Sequence, residues 1–301
     1  MWAAVCCRRL PGPDGAKNWT GSWKKCGRGD AVVLTLPLFA LGSEALAGLS
    51  FETVVLTGGG DAAESEEVAQ FLEAQNGWWV CNIDDPYLRK IVRDRKGKMV
   101  TYAERRSEAD LNARNLRLCS DRIEFEALTN EAICRVRLPI PGGFGLYNAM
   151  AALACGLRAG LTLEQMAQIL PNTRGVRGRM ELLPLNAPFD VLIDSAATPE
   201  QIDNLLMAAR GLAKGRLLLV LGAPGDRDRS RRPQLGEAAS RADVVILTAD
   251  DPRSEPVEEI CGQIRAGVEG KHPEIVPDRR AAIGRALDLA QPGDLVLLSG
   301  R

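Results

Sequence analysis

Residues 216–233 read Arg-Leu-Leu-Leu-Val-Leu-Gly-Ala-Pro-Gly-Asp-Arg-Asp-Arg-Ser-Arg-Arg-Pro, an unbroken apolar run followed directly by a charged, glycine-containing loop. A run this apolar is typical of a strand that is buried on both faces, as in a parallel sheet. Ligand sites of open α/β sheets lie where such strands end. The loop at 222–233 is therefore a place where we expect a binding site.

The same alternation of strand and helix extends to both sides of this run. Thr162 and Thr198 each precede a helical stretch as N-caps, and Gln165 completes a capping box with Thr162. Strand, helix and strand at this spacing predict a parallel sheet with right-handed crossovers. Strands are expected at 190–194, 216–222, 244–248 and 295–299, and helices near 146–158, 233–241, 256–267 and 279–290.

The first half of the chain has a less regular pattern. A run of prolines and glycines at 139–143 separates it from the helix that begins near residue 146. Strands are expected at 31–36, 51–57 and 78–83, a helix at 62–75, and short antiparallel strands at 98–103, 122–126 and 132–138. We predict two α/β domains, residues 1–175 and 176–301.

Composition narrows the class of protein. The 301 residues are 46% hydrophobic and 26% charged, with a net charge of −1, which gives no argument for a nucleic-acid partner. No run of apolar residues is long enough to span a membrane, and the start lacks the order of a signal peptide. The eight scattered cysteines without a Cys-x-x-Cys pair suit reduced thiols. We expect a cytoplasmic protein.

Four short signatures carry a resemblance to a known family. They are Gly-Val-Arg-Gly-Arg-Met-Glu (175–181), Ile-Asp-Ser-Ala-Ala-Thr-Pro (193–199), the loop at 222–233, and Asp-Asp-Pro-Arg-Ser-Glu (250–255). Together they resemble the Mur ligases, most closely the branch that adds diaminopimelate or lysine to the peptidoglycan precursor. The resemblance implies a degenerate, P-loop-like central domain followed by a Rossmann-like C-terminal domain. It also implies that ATP phosphorylates a carboxylate and that an amine then attacks the acyl phosphate.

The resemblance implies a nucleotide site on three residues. Asn148, in Tyr-Asn-Ala-Met, matches the asparagine that reads adenine, and an amide offers the donor and acceptor that this needs. Local capping is the alternative role for Asn148. Arg179 matches the arginine that meets the phosphates, which its forked guanidinium suits. Asp194 matches the carboxylate that holds the ribose hydroxyls.

A second motif bears on the incoming amino acid. Residues 250–253 resemble the family's Asp-Asn-Pro-Arg, in which the arginine can pair with the distal carboxylate of diaminopimelate. Arg253 and Asp251 are therefore candidate amino-acid contacts, although Asp251 stands where the family has asparagine. A polar turn with a surface arginine remains an equal interpretation. The charges at 226–232 form either a solvated, self-paired cluster or part of the catalytic site.

The phosphate loop of the family has only a distant counterpart here. Residues 12–18 read Gly-Pro-Asp-Gly-Ala-Lys-Asn, which makes Gly15 and Lys17 candidate nucleotide contacts. Pro13 removes one backbone N–H, and Asn18 replaces the hydroxyl that reaches the metal. The residues therefore favour an ordinary turn over a phosphate loop.

Other family residues are replaced as well. Thr35 and Phe39 stand where the family has a metal-binding glutamate and a histidine, and no metal ligand or catalytic residue is assigned. ATP remains the implied cofactor, whereas these replacements argue against Mg²⁺. We expect an impaired ligase that acts by binding a nucleotide, an amino acid or a cell-wall enzyme. The alternative is an active ATP-dependent ligase that adds diaminopimelate or another amino acid to a carboxylate acceptor.

Overall fold

Two sheets carry the fold. The computed structural model describes residues 2–7, 32–37, 51–58, 66–93, 97–119 and 121–300. Residue contacts divide the chain into two compact units. The first consists of Met1–Leu116, Phe125–Arg137 and Leu146–Pro171, and the second of Arg117–Glu124, Leu138–Gly145 and Asn172–Arg301. A single boundary near residue 175 stays a prediction.

The first sheet has eight strands, in the order β2-β1-β3-β4-β5-β6-β7-β8. Strand β1 runs antiparallel to both of its neighbours, whereas β3 to β6 run parallel to one another. The strands are β1 Trp2–Cys7, β2 Val32–Pro37, β3 Thr53–Leu56, β4 Trp78–Asn82, β5 Met99–Ala103, β6 Leu111–Leu118, β7 Ile123–Leu128 and β8 Ile133–Leu138. The helices of this half are α1 Glu66–Glu73, α2 Pro86–Arg93, α3 Phe144–Arg158 and α4 Leu163–Ile169.

The orientation expected for the strand at 98–103 is wrong. Strand β5 pairs in parallel with both β4 and β6 rather than antiparallel. The reason is helix α2, which the sequence pattern does not predict and which connects β4 to β5 as a crossover. Strand β6 is also unexpected, because its Leu-Asn-Ala-Arg-Asn-Leu-Arg-Leu sequence is mostly polar.

The second sheet has six strands, in the order β13-β12-β11-β14-β10-β9. Its strands from β13 to β10 are all parallel, which confirms the parallel sheet predicted from the apolar runs, and only β9 is antiparallel. The strands are β9 Glu181–Leu182, β10 Asp190–Asp194, β11 Leu217–Leu221, β12 Val244–Leu247, β13 Glu274–Ile275 and β14 Leu295–Ser299. The helices are α5 Pro199–Arg210, α6 Arg231–Ala239, α7 Val257–Arg265 and α8 Arg279–Leu289.

Helices cover both faces of the second sheet. Leu205 of α5, Leu235 of α6 and Ile260 of α7 lie in one core cluster, while Ala282 and Ala286 of α8 lie in a cluster on the opposite face. Every residue of β11 is buried. The apolar run is therefore unbroken because both faces of this strand are covered.

Two helices begin with the caps that the sequence predicts. The hydroxyl of Thr162 accepts from the N–H of Gln165, and the Gln165 side chain accepts from the N–H of Thr162. Thr198 and Gln201 form the same reciprocal pair at the start of α5, where Pro199 occupies the first turn. Each cap satisfies amide groups that a helix start leaves unpaired.

The cysteines that the structure describes are reduced, as expected. Cysteines 81, 119, 134, 155 and 261 are all free in the part of the chain that the structure describes, and Cys81 and Cys261 are buried. Burial raises the pKa of the Cys261 thiol to about 11, which keeps it protonated and unreactive. His272 is exposed.

Candidate functional site

The carboxyl ends of the five parallel strands lie at one edge of the second sheet. The segments that leave β11 and β12 there are called the β11 loop, residues 222–230, and the β12 loop, residues 248–256. Strand β14 lies between β11 and β10 and brings Ser299 beside Asp194. Because open α/β sheets bind ligands at this edge, the two loops are the candidate functional site.

The backbones of the two loops touch. The N–H of Gly225 donates to the carbonyl of Asp251 at 3.0 Å. A Cβ placed on Gly225 would lie 1.9 Å from the carbonyl oxygen of Pro252, so only glycine permits this approach. The position of the β12 loop therefore depends on residue 225.

Side chains join the loops a second time around Asp226. Its carboxylate accepts from the hydroxyl of Ser254 at 2.6 Å and from the Ser254 N–H at 3.3 Å. In the opposite direction, the N–H of Asp226 donates to Oε1 of Glu255 at 2.6 Å. Hydrogen bonds that involve a carboxylate are the stronger kind, so this reciprocal set holds one loop against the other.

A buried ion pair lies beneath this contact. Arg232 is 2% exposed and Glu255 is 8% exposed. Two guanidinium nitrogens of Arg232 bond the two oxygens of Glu255, both at 2.8 Å. Arg232 also donates to Gln263 Oε1 at 2.7 Å and to the Pro224 carbonyl at 3.3 Å. The solvated-cluster interpretation is therefore wrong for Arg232, because its side chain is buried and paired with Glu255.

The charges of this pair stabilise each other. The hydrogen bonds from Arg232 lower the pKa of Glu255 to about 2 against the opposing effect of burial, and the Asp226 N–H adds to the lowering. In turn, the hydrogen bonds to Glu255 raise the pKa of Arg232. Arg229 also contacts Glu255, at 3.0 Å, from an exposed position. Glu255 is therefore ionised throughout the neutral range.

This pKa predicts a contribution to acid stability. Because the folded-state pKa is lowered, the contribution of Glu255 is complete above its ordinary value of 4.5 and is lost as the pH falls towards about 2. The difference in unfolding free energy between wild type and Glu255→Gln should therefore shrink across that window. Denaturant titrations at a series of pH values measure it, and a difference that stays constant would contradict the assignment.

Three residues of the two loops adopt the left-handed backbone conformation that favours glycine. The φ angles are 52° at Asp226, 50° at Asp251 and 50° at Arg253. Aspartate tolerates this region better than most residues, but arginine does not. Such strain concentrates at binding and catalytic sites, where the surrounding contacts enforce it.

Asp251 and Arg253, the candidate amino-acid contacts, lie together on the exposed side of the β12 loop. The Nε of Arg253 is 3.4 Å from Oδ2 of Asp251, with side-chain exposures of 38% and 57%. One cationic and one anionic group thus face solvent side by side. This arrangement suits a ligand that carries an ammonium and a carboxylate on one carbon, and it also suits a polar surface turn.

Asp194 and Arg179 lie near each other in the second unit. The Asp194 carboxylate accepts from the N–H of Met180 at 2.9 Å and from that of Ala196 at 2.8 Å. Met180 has a φ of 47°, so this carboxylate holds a strained turn that also presents Arg179, whose side chain is exposed. A carboxylate has lone pairs for further donors, and the ribose role of Asp194 stays a prediction.

The remaining predicted nucleotide contacts belong to the first half of the chain. Asn148 is exposed on α3. Gly15 and Lys17 lie outside the described residues. Strand β1, which would lead into their loop, is antiparallel to β2 and β3. Phosphate loops normally follow a strand of a parallel sheet, so this pairing does not strengthen the case for Gly15 and Lys17.

Hydrogen bonds hold the turn at Cys81–Tyr87 in place. Asp85 accepts from the N–H groups of Tyr87 and Leu88 at the start of α2, both at 3.0 Å. The Asp84 carboxylate accepts from the Glu104 N–H at 2.6 Å and from the Tyr147 hydroxyl at 3.0 Å. Burial and the neighbouring Asp84 raise the pKa of Tyr147, so its phenol stays a donor. These contacts favour a structural role for the turn.

Sequence reasoning left the role of Asp226 and Arg232 open and did not single out Glu255. Glu255 is the last residue of the motif at 250–255, and Asp226 and Arg232 belong to the charged run at 226–232. Both segments belong to the signatures identified in the sequence. The missing information was the pairing between them, which joins residues 23 positions apart.

Two features are absent from the described residues. Among them, no group of three or more His, Cys, Asp or Glu side chains is arranged to hold a metal ion. In the same ranges, no helix is both long and apolar enough to cross a bilayer.

Two family models match the chain. The model described as the Mur ligase middle domain matches residues 65–156. The model described as the Mur ligase, glutamate ligase domain matches residues 178–301. The second match includes both loops of the candidate site.

Individual proteins give the same result. The UDP-N-acetylmuramoyl-L-alanyl-D-glutamate–2,6-diaminopimelate ligase of Clostridium botulinum is 35% identical over 234 residues, which cover 77% of this chain and 48% of the relative. A solved structure of a ligase with that name is 27% identical, with a TM-score of 0.62 over 88% of this chain and 58% of the other. The chain spans about half the length of the curated relatives it matches.

One solved structure carries a nucleotide. The MurF ligase of Thermotoga maritima, solved in complex with ADP, is 20% identical to this chain. Its TM-score is 0.62, over 83% of this chain and 58% of that protein. The likeness shows a shared fold.

Proposed function

Because this chain belongs to the Mur ligase family, we propose that it takes part in ATP-dependent amide-bond formation on a peptidoglycan precursor. In this reaction the γ-phosphoryl group of ATP passes to a carboxylate, which gives an acyl phosphate and ADP. The amine of an amino acid attacks the acyl carbon, and phosphate leaves. Residues 1–175 serve as the central domain and residues 176–301 as the C-terminal domain.

The observation that carries the proposal is the exposed pair of Asp251 and Arg253 on the β12 loop. The relative from Clostridium botulinum is named for 2,6-diaminopimelate, whose far end carries an ammonium and a carboxylate. Arg253 can bond that carboxylate, and Asp251 can accept from that ammonium. Together they offer complementary charges to a zwitterionic end, which an arginine alone does not.

The impaired-ligase interpretation takes second place. It depends on replaced family residues in the first half of the chain, among them Thr35, whose side chain is not described. The relatives at about 35% identity carry the names of ligases and so favour an active enzyme. We therefore propose the active ligase, and the assay below decides between the two.

The nucleotide contacts are part of the proposal. Asn148, Arg179 and Asp194 would bind adenine, phosphate and ribose, through an amide, a guanidinium and a carboxylate in turn. The expectation that magnesium is not used gains no support from the relatives. The described residues nevertheless form no metal site, so we assign no side chain to a metal and derive no step from one. The cytoplasmic location and a cell-wall enzyme as partner remain predictions.

The test is ADP release by the full chain with ATP, UDP-N-acetylmuramoyl-L-alanyl-D-glutamate and diaminopimelate. Turnover should require diaminopimelate. Arg253→Gln should lower kcat/KM for diaminopimelate roughly ten- to a hundredfold, because a hydrogen bond to a charged group contributes about 1.5–3 kcal/mol.

The control is Arg285→Gln on α8, whose exposed ion pair with Glu274 lies outside both loops. It should leave turnover unchanged. Absence of amino-acid-dependent ADP release from the wild type would sink the proposal and leave the impaired interpretation in its place.

A further inference from the structure

The structure assigns Arg232 and Glu255 a positioning role for the amino acid that Asp251 and Arg253 bind, an inference that rests on the proposed function. Neither residue is exposed, so neither touches a ligand directly. Their effect reaches the site through the two loops. The following contacts carry it from the buried pair to the surface.

The first contact runs from Glu255 to the β11 loop. Its Oε1 accepts both from Arg232 and from the N–H of Asp226, at 2.8 Å and 2.6 Å. Arg232 also bonds the carbonyl of Pro224, two residues before Asp226. The buried pair therefore holds both sides of the turn at Gly225, and this turn contacts the β12 loop.

The second contact returns to the β12 loop beside Arg253. The carboxylate of Asp226 accepts from both the hydroxyl and the N–H of Ser254. The carbonyl of Pro252, on the other side of Arg253, accepts from the N–H of Glu255 at 3.0 Å. Arg253 is thus held between two bonded neighbours, in a left-handed conformation that arginine rarely adopts.

Strain explains why these contacts are needed. Without them, Asp226, Asp251 and Arg253 would relax to the right-handed or extended conformations that non-glycine residues prefer. Relaxation of Arg253 would turn its side chain away from Asp251. The buried pair therefore acts on how a ligand is held, in addition to its effect on stability.

A comparable ion pair at the opposite edge of the sheet gives a control. Asp294 is 3% exposed and accepts from the Arg216 guanidinium at 2.7 Å and from the Arg216 N–H at 2.7 Å. These bonds join the starts of β11 and β14, whereas the candidate site lies where the strands end. Asp294→Asn should therefore weaken the same domain without disturbing the β11 and β12 loops.

The experiment compares Glu255→Gln, Arg232→Lys and Asp294→Asn in the ADP-release assay, under conditions where circular dichroism shows each to be folded. For Glu255→Gln, the KM for diaminopimelate should rise roughly ten- to a hundredfold, because small misplacements of a binding group have effects of this size. The KM for ATP should stay unchanged. Arg232→Lys keeps the charge but loses the two-pronged bond, so it should give a smaller rise.

A purely structural role gives a different result. Partial unfolding lowers the active fraction, which reduces kcat and leaves both KM values as they are. Asp294→Asn should leave both KM values unchanged and change at most kcat. If Glu255→Gln also changes only kcat, the positioning role is wrong while the proposed function stands.

Hydrogen exchange gives a readout that does not depend on turnover. Amides of residues 222–230 and 250–256 should exchange faster in Glu255→Gln than in the wild type, and at the wild-type rate in Asp294→Asn. Unchanged exchange in Glu255→Gln overturns the positioning role. A wild type without turnover overturns the proposed function. Faster exchange in Glu255→Gln would then still show that Arg232 and Glu255 fix the positions of the two loops.

Discussion

Replacing Arg232 by methionine should lower the free energy of unfolding of the second domain by about 3–5 kcal/mol, the usual cost of removing one partner from a buried ion pair. Methionine fills a similar volume, so the loss comes from charge and hydrogen bonding. Glu255 would remain 8% exposed with its main cation gone, and the Gln263 side chain would lose a donor. Denaturant-induced unfolding followed by circular dichroism measures the change.

The neighbouring residue provides the matched control. Arg231 precedes Arg232 in α6 and pairs with Glu200, but both side chains are largely exposed, at 45% and 66%. Arg231→Met should therefore cost only about 0–1 kcal/mol. Equal losses in the two variants would show that burial does not distinguish the two pairs and would contradict the description of Arg232 given above.

Gly225→Ala should damage amino-acid use and stability together. Its Cβ would lie 1.9 Å from the Pro252 carbonyl oxygen, and that neighbour is backbone, which cannot rotate away. The two loops must therefore separate, at a cost of about 1–3 kcal/mol for overpacking. The KM for diaminopimelate should rise at least roughly tenfold, since the shift moves Asp251 and Arg253. Unfolding curves and the ADP-release assay measure the two effects.

A glycine in a helix shows what an added methyl group does without a clash. Nothing lies within 4 Å of a Cβ built on Gly284 of α8, and its φ angle is not left-handed. Gly284→Ala should stabilise the protein by about 0.4–1 kcal/mol, because alanine restricts the unfolded chain.

The outcome that contradicts the prediction for Gly225→Ala is a KM for diaminopimelate equal to that of the wild type. It would mean that the β12 loop does not depend on the close approach at residue 225.

The second domain could be predicted in detail from the sequence. The apolar runs at 216–222 and 295–299 identify buried parallel strands, because a strand covered on both faces has no polar face to alternate with. The cap at Thr198, like that at Thr162 in the first domain, is confirmed because a capping box involves only residues three positions apart. Strands β9 and β13, with two residues each, were missed, since two residues show no periodicity.

The first half was predicted less well because its strands are partly exposed and their pairing is not local. The stretch at 98–103 gives the same alternation whether its neighbours run parallel or antiparallel. Helix α2 decides the orientation, and its eight residues make only about two turns, too few for a helical period to stand out in the sequence. The phosphate-loop candidates Gly15 and Lys17, and the replaced residue Phe39, also belong to this half and lie outside the described ranges.

By itself, the sequence determined the parallel sheet, the helix starts and the loop that carries Asp251 and Arg253, because each of these depends on residues close together in the chain. Only the tertiary structure decided that Arg232 and Glu255 form a buried pair, and that Asp226, Asp251 and Arg253 are held in left-handed conformations. Burial and strain arise when two strand ends meet, and the residues that meet lie more than twenty positions apart. The local pattern of a sequence does not show contacts between residues so far apart in the chain.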